Sequence, residues 1–383
     1  AVIDSFKAYA DGNKIVYASD CDSTKDKYAV KVSLADSDGT AVGTEQTNAA
    51  GSFDNLEVGK YKITATLSDG TTEKKKVEKT INIKNLDDMS AYLFVHFVDT
   101  QEDATREQIY FSVSKDGKTW TTLNNKQPYL TSNVGTQGVR DPYILRGEDG
   151  KFFIIATDLS VYNLKNNWTA AAQQGSKSIV VWESSDLVNW SEASLVKINN
   201  DNAGCTWAPE ACYDPEKDEY MVFWASVVSD DSYQKYRIYR SYTKDFKTFS
   251  APELYIEEPN AVIDTTIIDH EGTYYRFTKN EAKSSITMQE CTSLSGDWKD
   301  VASYNLGSMT GYEGPTIYKL NGKNEWCLLL DYFSKSKGYK PFVTTDITKG
   351  EFTADSDFSF DGTYRHGTVM PITQAEYESL TAE

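Results

Sequence analysis

An all-β chain in two parts, a small β-sandwich followed by a five-bladed β-propeller, is what this sequence predicts. Three observations carry the prediction. Residues 1–85 alternate apolar and polar side chains between closely spaced turn signals. Residues 91–383 repeat a short strand-and-turn signature five times. Five strand starts within that second part each carry one polar residue.

The first part is read from its turns. A-D-G-N at Ala10 and S-D-G-T at Ser37 and Ser68 are glycine-containing turn sequences. Between them, Tyr61, Ile63, Ala65 and Leu67 alternate with polar residues, the period of a half-buried strand. Short strands at this spacing suggest a sandwich. The stretch G-K-Y-K-I-T-A-T from Gly59 resembles the late strands of immunoglobulin-like or fibronectin-like modules of extracellular bacterial enzymes. The expected linker is Asn85 to Ser90. No catalytic constellation is visible here. A spacer or stabilising role is expected, with carbohydrate binding as the alternative.

From Ala91 the pattern changes. Ser/Thr-x-Asp followed by an aromatic residue four positions later occurs at Ser114–Asp116 with Trp120, Ser184–Asp186 with Trp190, and Thr243–Asp245 with Phe249. Looser copies run from Thr292 to Trp298 and from Thr344 through Asp346 to Phe352. Each follows an apolar strand. Repeats of strands and turns at this period point to a propeller.

The strands that open the repeats read R-D-P-Y-I at Asp141, W-A-P-E-A at Glu210, I-D-T-T-I-I at Asp264, Y-E-G-P-T-I-Y at Glu313 and R-H-G-T-V at His366. Proline cannot donate to a sheet ladder, so such a strand begins or bends at its proline. In a propeller the first strand of each blade lines the central channel. The five polar residues are therefore expected to hold equivalent positions and to converge near the axis. The strand at His366 has no followers, and the strands at Tyr92 and Gln108 have no opener. Joining them completes a fifth blade from both ends and removes free sheet edges.

Composition narrows the function. Of 383 residues, 39% are hydrophobic and 25% charged, as in a globular protein. The 25 Tyr and 8 Trp fit β-structure and also sugar recognition, because flat rings pack on sugar faces. A net charge of −18 argues against nucleic acids and anionic membranes as partners. No apolar run is long enough to form a transmembrane helix, and no leader is visible. The chain opens at Ala1 without Met, so a leader removed or a trimmed start is expected. Cys21, Cys205, Cys212, Cys291 and Cys327 show no metal-binding spacing and read as buried free thiols.

Four of the converging residues are carboxylates, and three of them, Asp141, Asp264 and Glu313, are the catalytic candidates. Glycosidic hydrolysis needs one carboxylic acid to protonate the leaving oxygen and a second carboxylate to activate water. In inverting enzymes these stand about 6.5–9.5 Å apart. A third carboxylate raises the acid's pKa by like-charge repulsion. The bland alternatives are a turn cap for Asp141 and structural strand starts for Asp264 and Glu313. A lone histidine such as His366 is often a satisfied core residue, and His96 and His270 read as ordinary strand or turn residues. Trp207 either stacks on sugar or walls the channel. Asp158 reaches a sugar hydroxyl or holds a turn. Trp168, in the long insert Ser160–Lys177, is the expected subsite determinant.

Together these motifs resemble glycoside hydrolase family 43, five-bladed propellers acting mainly on α-L-arabinofuranosides and β-xylosides, over residues 91–383. The resemblance implies roles for individual residues. Asp141 is the general base, Glu313 the general acid, and Asp264 the carboxylate that tunes the acid. His366 is the axial histidine beside a structural Ca2+ and its waters. Two departures stand out: Thr265 replaces a frequent proline, and Glu210, taken as a sugar contact, replaces a frequent aspartate. The expectation is an inverting, exo-acting α-L-arabinofuranosidase of plant cell-wall polysaccharide, monomeric and secreted or displayed at a bacterial surface. A β-xylosidase of the same fold, with a role in xylan degradation, and a non-catalytic sugar-binding propeller are the alternatives.

Overall fold

The computed structural model describes residues 5–20, 29–68, 72–84, 88–98 and 103–382. It is nearly all β, as expected. The predicted linker and the Ser68 turn lie partly outside the described residues. Cys21 lies outside them as well, and the four described cysteines are free thiols.

The N-terminal part forms two three-stranded sheets. One holds Phe6–Asp11, Lys14–Ser19 and Ala50–Phe53; the other holds Ala29–Asp36, Gly59–Ser68 and Glu73–Ile83. Alternation decides which faces meet. Tyr61, Ile63, Ala65 and Leu67 point inward and join Val32, Leu34, Ile15 and Tyr17 in one core.

This unit docks through its last strand. Lys79, 2% exposed, donates to the Thr292 carbonyl at 2.6 Å and lies 3.5 Å from Glu216. The backbone N–H of Thr80 donates to the Pro215 carbonyl, and Lys60 pairs with Asp218 at 2.7 Å. Burial pushes the Lys79 ammonium down, against the pull of Glu216. The partners Glu148, Pro215 and Asp218 all belong to turns that follow the inner strands of the larger unit.

In the larger unit, four sheets of four strands follow in chain order. Their inner strands are Val139–Arg146, Trp207–Asp214, Val262–His270 and Glu313–Lys319. The fifth sheet is assembled from both ends of the unit. Arg365–Thr373 pairs with Met89–Phe97, which continues through Tyr110–Ser114 and Thr119–Thr122 to Ser359–Phe360. Inner strands of successive sheets pack together, and the last packs on the first, so the sheets close a ring.

The repeated Ser/Thr-x-Asp signature has a local cause. Asp116 Oδ1 accepts from the N–H groups of Lys118 and Thr119 and from Ser114 Oγ. Asp186 and Asp245 repeat the arrangement. Each aspartate therefore ties a tight outer turn. A terminal helix, Gln374–Thr381, starts at a capping box of Thr373 and Glu376.

Candidate active site

Every inner strand carries a bulge near its start. Pairing breaks between Arg140 and Tyr143, Trp207 and Glu210, Ile263 and Thr265, Glu313 and Thr316, and Arg365 and Thr368. Bulges re-aim side chains and cluster beside active sites. The first unpaired residues are Asp141, Ala208, Asp264, Gly314 and His366. Four of them have positive φ: Asp141 +50°, Ala208 +47°, Asp264 +50° and Gly314 +50°. For a residue other than glycine this costs about 1–3 kcal/mol and persists where the surroundings enforce it.

This register corrects the expectation of five equivalent polar positions. Asp141, Asp264 and His366 are equivalent. Glu313 stands one residue before its bulge, in the place of Arg140, Trp207 and Arg365. Glu210 stands beyond its bulge and rejoins the ladder opposite Phe223. Thr265 also has a visible consequence: it rejoins the ladder opposite Thr278, one residue earlier than the strands with proline at this point.

The bulges bring the four expected site residues together. Asp141 Oδ1 lies 3.4 Å from His366 Nδ1, and Asp264 Oδ1 lies 3.9 Å from the same nitrogen. Thr157 Oγ1 donates to Asp141 Oδ2 at 2.9 Å and accepts from the Ala208 N–H at 2.8 Å, which fixes the Asp141 carboxylate. The Gly314 N–H donates to Asp264 Oδ2 at 3.0 Å. Gly314 is required here, because a Cβ would stand 2.6 Å from His366 Cγ. Burial pushes the Asp264 carboxyl up to about 6; His366 opposes this and Glu313 adds to it.

Glu313 is held by cations that the sequence did not single out. Its Oε2 is 2.9 Å from Lys279 Nζ, and its Oε1 is 3.5 Å from Arg365. Arg365 is itself fixed by buried Asp331 at 2.7 Å. Burial pushes the Glu313 carboxyl up, but Lys279 and Arg365 outweigh it and hold the group below its ordinary range.

Arg140, beside Asp141, pairs with fully buried Glu107 at 3.0 Å. The guanidinium lies over the rings of Phe97 (4.5 Å) and Trp168 (5.3 Å). Trp168, 46% exposed, begins a short helix, Trp168–Gln173, within the Ser160–Lys177 insert. It meets Trp207 edge-on at 6.1 Å, and Trp207 stacks on Tyr236. These rings form an aromatic wall between the first and second sheets. Trp168→Ala is expected to raise KM by about three- to tenfold with kcat little changed, the scale of one aromatic contact. Steady-state kinetics check this.

Two expected sugar contacts are buried. Glu210 is 3% exposed, and burial raises its carboxyl well above the ordinary range. Asp158 is 4% exposed and its Oδ1 accepts from the N–H and hydroxyl of Thr136, so it ties a loop. His96, buried on Ser112 and Tyr364, is a core residue, as expected.

For Ca2+, the donor set decides. The ion takes six to eight oxygen ligands. Among the described residues no group of three or more His, Cys, Asp or Glu is arranged to hold a metal, and the His366 Nδ1 faces two carboxylates. These side chains supply no such shell, and no chemical step is routed through the ion.

Residues 87–378 match the model of a family described as "Probable glycosyl hydrolase domain". An α-L-arabinofuranosidase of Bifidobacterium longum subsp. longum is 30% identical over 385 aligned residues, covering 87% of this chain and 35% of the relative. The chain thus spans about a third of the length of this curated relative. Among solved structures, the chain is similar to a thermostable family-43 glycoside hydrolase at TM-score 0.44 and 19% identity, over 61% of this chain and 77% of that one. It is also similar to the catalytic domain of the Coprinopsis cinerea GH62 α-L-arabinofuranosidase at TM-score 0.42 and 16% identity, over 60% and 71% of the two chains.

Proposed function

The chain belongs to this family of glycosyl hydrolase domains related to family 43, and from that premise we propose that it is an inverting, exo-acting glycoside hydrolase releasing α-L-arabinofuranosyl residues. The observation that carries the reading is the gathering of Asp141, Asp264 and Glu313, from three separate inner strands, around His366 and Arg365.

The roles are those that the resemblance implies, and the contacts support them. Asp141 is the base: Thr157 holds one carboxylate oxygen, and the other, 3.4 Å from His366 Nδ1, takes a proton from water. The water oxygen bonds to the anomeric carbon as the glycosidic C–O bond breaks. Glu313 delivers its proton to the departing oxygen. Asp264 and His366 set the charge around the reacting centre. Trp168 and Trp207 wall the sugar. The proposal extends to plant cell-wall polysaccharide as substrate, to secretion or surface display, and to action as a monomer.

Two measurements test it. Proton NMR of the first product anomer is expected to show inversion; retention would remove the water-activating role from Asp141. An aryl α-L-arabinofuranoside is expected to be cleaved faster than the aryl β-xyloside. The reverse order would make the enzyme a xylosidase, and no turnover of either would support a sugar-binding module.

Burial raises the Asp264 carboxyl, while Lys279 and Arg365 hold that of Glu313 below its ordinary range.

A further inference from the structure

Lys279 is the last residue but one of the second strand of the third sheet, Thr273–Asn280, paired with Ile263 beside Asp264. Its side chain is 4% exposed. The ammonium stands between two carboxylates, 2.9 Å from Glu313 and 2.7 Å from Glu281, and lies 4.4 Å from the Phe333 ring centre. Asp264 also faces it. Glu313 is faced in addition by Arg365 and His366. The two cations differ in their freedom. Arg365 is committed to buried Asp331. Lys279 is shared, and it stands nearer the less buried Glu281 than Glu313.

We propose that Lys279 is a positioning residue whose ammonium is shared between Glu313 and Glu281, so that Glu281 tunes its hold on Glu313. This rests on the reading of Glu313 as the general acid. One ammonium serves both carboxylates, so the charge that Glu281 draws is lost to Glu313.

The test uses Lys279→Met, Lys279→Arg and Glu281→Gln in the full chain, with two readouts. One is the 13C titration of the Glu313 carboxyl, assigned with Glu313→Gln. The other is the alkaline limb of kcat/KM on an aryl arabinofuranoside, which reports loss of the acid's proton in the free enzyme. An opposite charge at this range moves a carboxyl by about one to three pH units. Lys279→Met is therefore expected to move both titration and limb up by that amount. Glu281→Gln removes the competitor and moves both down. Lys279→Arg stays near the wild type. An unmoved titration in Lys279→Met and Glu281→Gln overturns the proposal. So does a uniform loss of activity with titration and limb both fixed, the mark of a merely structural lysine. A titration that shifts as expected while the limb does not supports the Lys279–Glu313 coupling and rejects Glu313 as the acid.

Discussion

Asp141→Asn is expected to lower kcat by about 10²–10⁴-fold on every glycoside, the range that acid–base catalysis contributes. The loss follows from geometry: the amide keeps the Thr157 hydrogen bond but cannot take the proton of the attacking water. Glu313→Gln separates from it by leaving group. With a natural sugar alcohol departing, the loss is of the same order. With a nitrophenolate, which leaves without protonation, most of the activity returns. Michaelis–Menten kinetics on the two substrate types decide the roles. Full activity in both variants would sink the assignment, and equal losses on both substrates would remove the acid role from Glu313.

Glu107→Ala is expected to be the most destabilising single change near the site. The Glu107 carboxylate is fully buried and accepts from Arg140, from the Ser160 hydroxyl and from the N–H groups of Val161 and Tyr162. Removing it leaves a buried guanidinium and two backbone donors without partners. Breaking one side of a buried ion pair costs about 3–5 kcal/mol. Thermal unfolding of the ring should begin several degrees lower. Because the same contacts anchor the insert that carries Trp168, KM should rise as well. Glu107→Gln, which retains the acceptor, should recover part of both. Unchanged unfolding in Glu107→Ala would show that the pair contributes nothing.

The candidate site residues were legible where they interrupt a strand. Asp141 before Pro142, Glu313 before Gly314 and His366 before Gly367 are each polar groups at points where a ladder cannot continue normally. The alternation of Tyr61 to Leu67 and the half-blades at either end of the ring were legible for the same reason: periodicity survives in one dimension. The equivalence of positions was not. Which residue is unpaired in a bulge depends on the partner strand, so Glu313 and Glu210 fell out of register with Asp141. Lys279, Glu107 and Thr157 were missed because their meaning lies in contacts between strands. A lysine at a strand end reads as solvated unless its neighbours are known. Arg365 stood inside the quoted R-H-G-T motif, but nothing local tied it to Asp331 and Glu313.

The small N-terminal unit docks on turns at the far ends of the inner strands, whereas Asp141, Asp264 and Glu313 stand at their starts. It can brace the ring without touching the sugar.

The closing sheet also has a consequence in time. Arg365 and His366 belong to the strand that pairs with Met89–Phe97, and a ribosome delivers that strand after every other strand of the ring. Until they arrive, Asp141 and Asp264 lack their shared imidazole and Glu313 lacks its guanidinium. A nascent chain therefore carries these carboxylates unassembled until the ring is shut.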